Sequence, residues 1–218
     1  MAMFTSAAAP ASAFNALTGP VGFYPVVPTA DWVIRLLGWG VRTIQLRIKA
    51  AEYTPPEIER EVRAAVEAGR QVPGAQVFIN DHWQLALNAQ AYGVHLGQED
   101  LDIADIQALR QAGLRLGLST HTPEELARAH AVQPSYLAIG PIYPTTLKVM
   151  PYAPVGLERL RLWAPQAAPY PVVAIGGISL ALMPGVLACG VAGVAVVSAV
   201  TLAADPQRAA SQGLALAA

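Results

Sequence analysis

Short apolar runs alternate with helix-like stretches along this chain from about Gly19 onward. Eight of the runs are too short for a helix, and several contain only apolar residues, as strands buried on both faces of a parallel sheet do. The predicted strands are Phe23–Val27, Thr43–Arg47, Gln76–Ile79, Gly93–Leu96, Arg115–Leu118, Tyr136–Ile139, Val172–Ile175 and Gly193–Val197.

Helical patterns fill the intervals between these strands. They are Asp31–Leu37, Pro56–Ala68, His82–Gln90, Ile103–Gln111, Pro123–Ala131, Gly156–Trp163, Leu180–Ala188 and Pro206–Leu216. Thr54, Thr122 and Asp205 each precede a proline at a helix start, which is the pattern of an N-cap residue with proline in the first turn.

Eight strand–helix units predict an α/β fold, a single closed (β/α)8 barrel (TIM barrel) over residues 19–218. A doubly wound open sheet also alternates strands and helices, so it stays open as the alternative. Residues 1–18 are rich in Ala and Ser and predict a disordered or irregular leader. The chain has no linker or change in composition that would indicate a second domain.

The charge balance limits the class of partner. The chain has 14 Lys and Arg residues against 15 Asp and Glu residues, a formal net charge of −1. A nucleic-acid-binding protein normally has a basic surplus, so we expect no nucleic-acid partner. The single cysteine, Cys189, excludes an internal disulfide and a cysteine-based zinc cluster.

The apolar stretch Ile178–Ala204 is long enough to span a bilayer. Proline and several glycines interrupt it, however, and no cluster of Lys or Arg flanks it. Our interpretation is therefore a helix between two buried strands in a cytoplasmic protein with no membrane partner.

Polar residues gather directly after the predicted strands, and in a (β/α)8 barrel those strand ends all open on one face, where the chemistry takes place. Alternation along the second strand places Gln45, Arg47 and Lys49 on one side. A half-solvated strand would show the same pattern. Two inward cations, however, need an anionic partner, and they suit a phosphate or diphosphate.

Carboxylates follow the third and fourth strands, in Asn80-Asp81 and in Glu99-Asp100. Each pair could cap the next helix. Alternatively, Asp81 and Asp100 could hold Mg²⁺, which commonly takes one or two carboxylates together with phosphate oxygens and water. His95 lies in an apolar strand, and that position favours a core histidine bonded to backbone over a catalytic one.

The later strands end in smaller residues. Ser119 is either a turn residue or a contact to an anion, and the long proline-rich segment 140–154, with Thr145 and Lys148, is either a lid or a surface loop. Gly176-Gly177 and Val197-Ser198 allow backbone N–H groups to approach a phosphate. Two anion sites on one rim indicate a transferase that joins two phosphorylated substrates.

Taken together, these segments resemble the thiamine-phosphate synthase family over about residues 20–205. The resemblance rests on Gln45–Lys49, Ile79–Asp81, Gly93–Asp100, Gly117–His121, Gly140–Thr145, Lys148, Gly176–Ile178 and Val197–Ala199. It implies a (β/α)8 barrel that transfers the 4-amino-2-methylpyrimidin-5-ylmethyl group from its diphosphate to 4-methyl-5-(2-phosphoethyl)thiazole, or to its carboxylated form. The products would be thiamine phosphate and diphosphate.

The resemblance also implies residue roles. The pyrimidine diphosphate would contact Gln45, Arg47, Lys49, Asn80, Ser119 and Lys148, of which Arg47, Lys49, Ser119 and Lys148 would be catalytic. Mg²⁺ would bind Asp81 and Asp100, and the thiazole phosphate would contact Thr145, Thr146, Gly177, Val197 and Ser198. The implied mechanism is dissociative: diphosphate leaves first, and the thiazole nitrogen captures a pyrimidinylmethyl cation.

One position departs from the family. The family pattern Thr-x-Thr-Lys is replaced by Thr145-Thr146-Leu147-Lys148, and Leu147 has no hydroxyl group. Leu147 favours one alternative, a non-catalytic barrel that binds thiamine phosphate or its precursors. A second alternative is a paralogous thiazole tautomerase with His121 as its acid–base group. The sequence leaves the oligomeric state open.

Overall fold

The computed structural model describes residues 13–145 and 153–218. Its eight parallel strands form a closed barrel in chain order, with β1 paired to both β2 and β8. This confirms the predicted (β/α)8 barrel and excludes the open sheet. The strands are β1 Gly22–Val27, β2 Thr43–Leu46, β3 Gln76–Asn80, β4 Gly93–Leu96, β5 Arg115–Thr120, β6 Tyr136–Ile139, β7 Val172–Ile175 and β8 Gly193–Val196.

Helices surround the barrel, each in an interval between strands or after the last one. They are α1 Ala30–Gly38, α2 Pro55–Arg70, α3 Trp83–Asn88, α4 Ile106–Gln111, α5 Pro123–Val132, α6 Gly156–Trp163, α7 Met183–Leu187, α8 Ser198–Thr201 and α9 Pro206–Leu216. Short 3-10 turns lie at 50–52, 100–102, 165–167 and 180–182.

The predicted caps begin their helices. The Thr122 side chain accepts the Glu125 N–H, and the Asp205 side chain accepts the Arg208 N–H. At α2 the Glu57 carboxylate accepts both the N–H and the hydroxyl of Thr54, and these bonds hold the pKa of Glu57 below its usual value. These side chains bind backbone N–H groups that have no partner within the helix, so each cap sets where its helix starts.

Three predicted helices begin later than their apolar pattern indicates, and one of them is the helix predicted from Leu180, which starts at Met183 after the 3-10 turn at 180–182. The helix predicted from Ile103 starts at Ile106 because the Asp105 side chain accepts the Ala108 N–H and caps it there. The helix predicted from His82 starts at Trp83, after a tight turn that follows β3.

Alternating strand residues separate two apolar cores. One core lies between the barrel and the helices and includes Ile44, Leu46 and Ile48. The other fills the barrel interior, where the rings of Phe78 and Tyr136 pack with centroids 5.1 Å apart. Glycines in neighbouring strands make room for these rings: a Cβ at Gly117 would lie 2.2 Å from the Tyr136 ring.

The described part of the predicted leader, residues 13–18, has irregular backbone packed against the barrel's N-terminal end. Phe14 is buried, and the Asn15 carbonyl accepts the Ser135 hydroxyl at 2.6 Å. The Ala16 carbonyl accepts from the Arg115 guanidinium at 3.2 Å. These contacts tie the segment to the starts of β5 and β6.

The long apolar stretch Ile178–Ala204 is divided among a 3-10 turn, α7, β8 and α8. As interpreted, α7 lies between two buried strands, β7 and β8. Within the ranges 13–145 and 153–218, the helices are all too short or too polar to cross a membrane.

Candidate active site

A cavity of about 920 Å³ opens at the carboxyl ends of the barrel strands. Ten of the predicted site residues line it: Gln45, Arg47, Asn80, Asp81, Asp100, Ser119, Thr145, Gly177, Val197 and Ser198. Thr146, Leu147 and Lys148 lie outside the described residues. Residues separated by more than a hundred positions in the chain thus share one cavity, because the closed barrel brings its strand ends together.

The end of β2 presents Gln45 and Arg47 to this cavity. Gln45 is 3% exposed, and its side-chain amide donates to the Tyr24 hydroxyl at 3.2 Å. The Arg47 N–H donates to the Val27 carbonyl at 2.8 Å, so pairing with β1 continues one residue past the strand. The Arg47 side chain therefore enters the cavity from a rigid backbone.

Lys49 lies elsewhere. Its side chain is 61% exposed, pairs with Glu52 at 3.4 Å, and does not contribute to the cavity lining. The strand ends at Leu46 and the backbone turns at 50–52, so the alternation used for the prediction does not extend to this residue. The role of Lys49 stays a prediction.

Asp81 has a left-handed backbone conformation with φ of 59°, which is uncommon for a residue with a Cβ. Its N–H donates to the His95 carbonyl at 3.0 Å, and the His82 N–H donates to the Asn80 carbonyl at 2.7 Å. The N-cap residue of α3 is His82, whose side chain makes no capping hydrogen bond, and the capping interpretation of Asn80-Asp81 stays open. Strained residues held in this way cluster at functional sites.

Asp100 lies just past the end of β4, the strand to which the Asp81 backbone is hydrogen-bonded. One of its carboxylate oxygens accepts the Gly97 N–H at 2.8 Å, two residues beyond the His95 carbonyl that binds Asp81. Both carboxylates line the cavity. Their oxygens are ligands of the kind that Mg²⁺ prefers.

No cluster of three or more His, Cys, Asp or Glu residues that could hold a metal occurs among the described residues. A cation here would therefore bind two carboxylates and complete its shell with ligand oxygens and water. That composition fits Mg²⁺, which keeps several waters and is commonly bound with substrate phosphates.

His95 is a buried residue of the site, and the expectation that backbone groups would satisfy it is wrong. Its Nδ1 lies 2.7 Å from the Tyr136 hydroxyl, and its Nε2 lies 2.9 Å from the Ser119 hydroxyl. Ser119 is also held through its carbonyl, which accepts from the Gln98 side chain at 2.7 Å. His95 and Gln98 both line the cavity. The sequence indicated the position of His95 only through the alternation of inward-facing and outward-facing residues along β4.

A second histidine lines the cavity next to an acid. The Nδ1 of His121 and a carboxylate oxygen of Glu125 are 2.7 Å apart, and the same oxygen accepts the His121 N–H. Their side chains are 13% and 16% exposed. Glu125 thus orients the imidazole and extends the cap of α5.

The turns after β7 and β8 approach the cavity through backbone. Gly177 has φ of 68°, and a Cβ there would lie 2.5 Å from the Pro144 carbonyl oxygen. The neighbouring carbonyl of Gly176 accepts the Tyr143 N–H at 3.0 Å, so the segment after β6 packs on this turn. Only a residue without a side chain fits between the two segments.

The fold and the site together define a class: a (β/α)8-barrel enzyme with its active site at the carboxyl ends of the strands. A protein-family model described as thiamine monophosphate synthase matches residues 23–200.

Curated relatives and a solved structure agree with this match. The chain is 56% identical to the thiamine-phosphate synthase of Klebsiella pneumoniae over 90% of its own length and 92% of the relative's. It is 54% identical to that of Yersinia pestis, over 88% of each chain. The solved thiamine phosphate pyrophosphorylase of Pyrococcus furiosus is 32% identical, with a TM-score of 0.77 over 90% of this chain and 95% of that one.

The chain belongs to the thiamine-phosphate synthase family, and it is a transferase.

Proposed function

We propose that this enzyme joins 4-amino-2-methyl-5-hydroxymethylpyrimidine diphosphate to 4-methyl-5-(2-phosphoethyl)thiazole or its carboxylated form. In this reaction the bond from the pyrimidine methylene carbon to the diphosphate oxygen breaks, and a bond from that carbon to the thiazole nitrogen forms. Diphosphate leaves with the electron pair, and the carboxylated form would in addition lose its carboxylate as CO2, with a proton from solvent taking its place. The observation that carries the proposal is the placement of Arg47, Asp81 and Asp100 on one cavity at the strand ends.

Asp81 and Asp100 would hold Mg²⁺, because both line the cavity and both are bonded at the end of β4, Asp81 through its backbone N–H and Asp100 through its carboxylate. When bound, Mg²⁺ supplies positive charge that stabilises the negative charge developing on the leaving diphosphate.

The chain's own residues bind and orient both substrates. Arg47 would bind diphosphate oxygens, and the Asn80 amide and Ser119 hydroxyl would donate hydrogen bonds to the pyrimidine diphosphate. Gln45, buried at the base of the cavity, would contact the same substrate. Lys49 and Lys148 remain further predicted contacts to it.

The thiazole phosphate would bind on the other side of the cavity. Gly177, Val197 and Ser198 would contact it largely through backbone N–H groups, together with Thr145 and Thr146. The apolar side chains of Val26, Ile175 and Ile178 line the same cavity and would limit the access of water to a pyrimidinylmethyl cation.

The test is a reaction of both substrates with the purified chain, with Mg²⁺ and with a chelator in excess. We expect equal amounts of diphosphate and thiamine phosphate, and at least about 100-fold slower release without the metal. Diphosphate release at the same rate in excess chelator would contradict the metal's role. No release under either condition would contradict the synthase reaction.

The oriented pair His121 and Glu125 favours one second candidate, a thiazole tautomerase that transfers a proton within its substrate. Such an activity would exchange a substrate hydrogen with deuterated solvent without releasing diphosphate. In the same assay, tight binding of thiamine phosphate with neither reaction would identify a non-catalytic binding protein.

A further inference from the structure

A chain of buried hydrogen bonds runs through the barrel interior from Gln45 to Ser119. The Gln45 amide donates to Tyr24 at 3.2 Å, and the hydroxyls of Tyr24 and Tyr136 are 2.8 Å apart. The Tyr136 hydroxyl lies 2.7 Å from His95 Nδ1, and His95 Nε2 lies 2.9 Å from the Ser119 hydroxyl. Gln45 and Ser119 both line the active-site cavity, so the two ends of this buried relay face the cavity.

The Gln45 amide gives the relay a direction. An amide nitrogen can only donate, so the Tyr24 oxygen accepts from Gln45 and its own hydrogen goes to Tyr136. Tyr136 then donates to His95 Nδ1, which must lack a hydrogen. A neutral imidazole carries its hydrogen on the other nitrogen, so Nε2 donates to the Ser119 oxygen.

The rings of the relay are held in place. Tyr24 and Tyr136 are each 1% exposed, and Tyr136 packs on Phe78 at 5.1 Å and on the His95 ring at 5.6 Å. Burial raises the pKa of both phenols well above the usual value, so they remain neutral. The relay therefore transmits hydrogen-bond direction and moves no charge.

We propose that the buried relay orients the Ser119 hydroxyl so that its hydrogen is presented to an anionic oxygen in the cavity. Tyr24, Tyr136 and His95 act as positioning residues, because their hydrogen bonds set the direction in which the Ser119 hydroxyl points. With the relay reversed, Ser119 would donate to His95 and offer the ligand only lone pairs. The assignment of that anionic oxygen to the pyrimidine diphosphate rests on the proposed function.

The direction of the relay can be measured without turnover. Nitrogen-15 NMR of histidine-labelled protein distinguishes the two imidazole nitrogens, and a His95→Gln variant assigns the signals. We expect neutral His95 with its hydrogen on Nε2 and an unprotonated Nδ1. A hydrogen on Nδ1, on both nitrogens, or exchanging equally between them would overturn the proposal.

Tyr136→Phe removes the hydroxyl that donates to Nδ1 and keeps the packed ring. We expect it to abolish the preference for the Nε2 hydrogen. Tyr92→Phe is the matched control, because the Tyr92 hydroxyl donates to Gln76 at 2.6 Å and does not line the cavity. It should leave the His95 signals unchanged. If Tyr136→Phe does not fold, Tyr24→Phe cuts the relay one bond further away and should weaken the same preference.

Kinetics then test whether the relay acts through Ser119. We expect Tyr136→Phe and Ser119→Ala each to lower kcat for diphosphate release about 10-fold, with Tyr92→Phe near the parent value. The double variant should be no slower than Ser119→Ala, whereas multiplied losses would show that Tyr136 acts independently. A parent enzyme that releases no diphosphate would contradict the proposed function, while the NMR result would still decide the direction of the relay.

Discussion

The two sides of the active-site mouth are built from different parts of the chain. After β2 to β5 the cavity is lined by charged and polar side chains, among them Arg47, Asp81, Asp100 and Ser119. After β7 and β8 it is lined mainly by small residues such as Gly177 and Ser198. Metal binding and charge neutralisation need particular side chains, whereas a phosphate can be held by backbone N–H groups. The two sides should therefore respond differently to substitution.

Asp81→Ala should have the largest effect. Loss of this carboxylate removes a proposed Mg²⁺ ligand, so diphosphate release should fall about 1000-fold while the melting temperature changes little. Asp102→Ala is the control, because Asp102 is an exposed carboxylate of the nearby 100–102 turn that pairs with Arg128. Near-normal release by purified Asp81→Ala would contradict the proposed metal site.

Arg47→Ala should be the next most damaging change. Its guanidinium is the described cation that lines the cavity on the β2 side, and its loss should lower diphosphate release about 100-fold. Arg63→Ala, which removes an exposed partner of Glu59 on α2, should have no measurable effect on the rate. Equal rates for the two variants would remove Arg47 from the proposed mechanism.

Gly177→Ala tests the backbone side. A methyl group there would collide with the Pro144 and Tyr143 carbonyls in a left-handed conformation, so we expect a loss of about 2–4 kcal/mol in stability. The KM for the thiazole phosphate should rise about 10-fold, because the turn must shift.

Gly190→Ala is the matched control for that change. Gly190 also has a positive φ, of 81°, but a Cβ there would contact nothing within 4 Å. It should cost about 1 kcal/mol from conformation alone and leave KM unchanged. Thermal or urea unfolding will measure the stability of both variants. Equal losses of stability in Gly177→Ala and Gly190→Ala would show that the close approach at Gly177 adds no strain beyond its positive φ.

Ser198→Ala should have the smallest effect. If this side binds phosphate through backbone N–H groups, the KM for the thiazole phosphate should change by less than about 3-fold. Steady-state kinetics with the thiazole phosphate varied will measure it. A rise of about 10-fold or more in this KM would mean that both sides of the mouth depend on side chains.

Much of the fold followed from local pattern. Gly93–Leu96, Tyr136–Ile139 and Val172–Ile175 were predicted with the bounds that the structure shows, because short apolar runs between turn residues have few other conformations. The starts of α3, α4 and α7 were missed. They depend on a tight turn at Asn80-Asp81, on the Asp105 cap and on a 3-10 turn at 180–182, which hydrophobic periodicity does not register.

The candidate site was predicted unevenly for a similar reason. Residues such as Arg47 and Asp81, which directly follow strands, were placed correctly on the rim, since every strand end of a barrel opens there. Lys49 was predicted beside them by extending the alternation of β2, but the strand ends before it and the residue lies on the surface.

The sequence by itself determined the order of strands and helices, the caps of α2, α5 and α9, and the residues that follow each strand. These features depend on neighbours within a few positions. The tertiary structure alone decided which buried polar groups meet: Tyr24 and Tyr136 are 112 positions apart, and His95 and Tyr136 are 41 apart. Closure of the barrel brings these side chains together in its interior, where burial leaves each of them dependent on the others for hydrogen bonds.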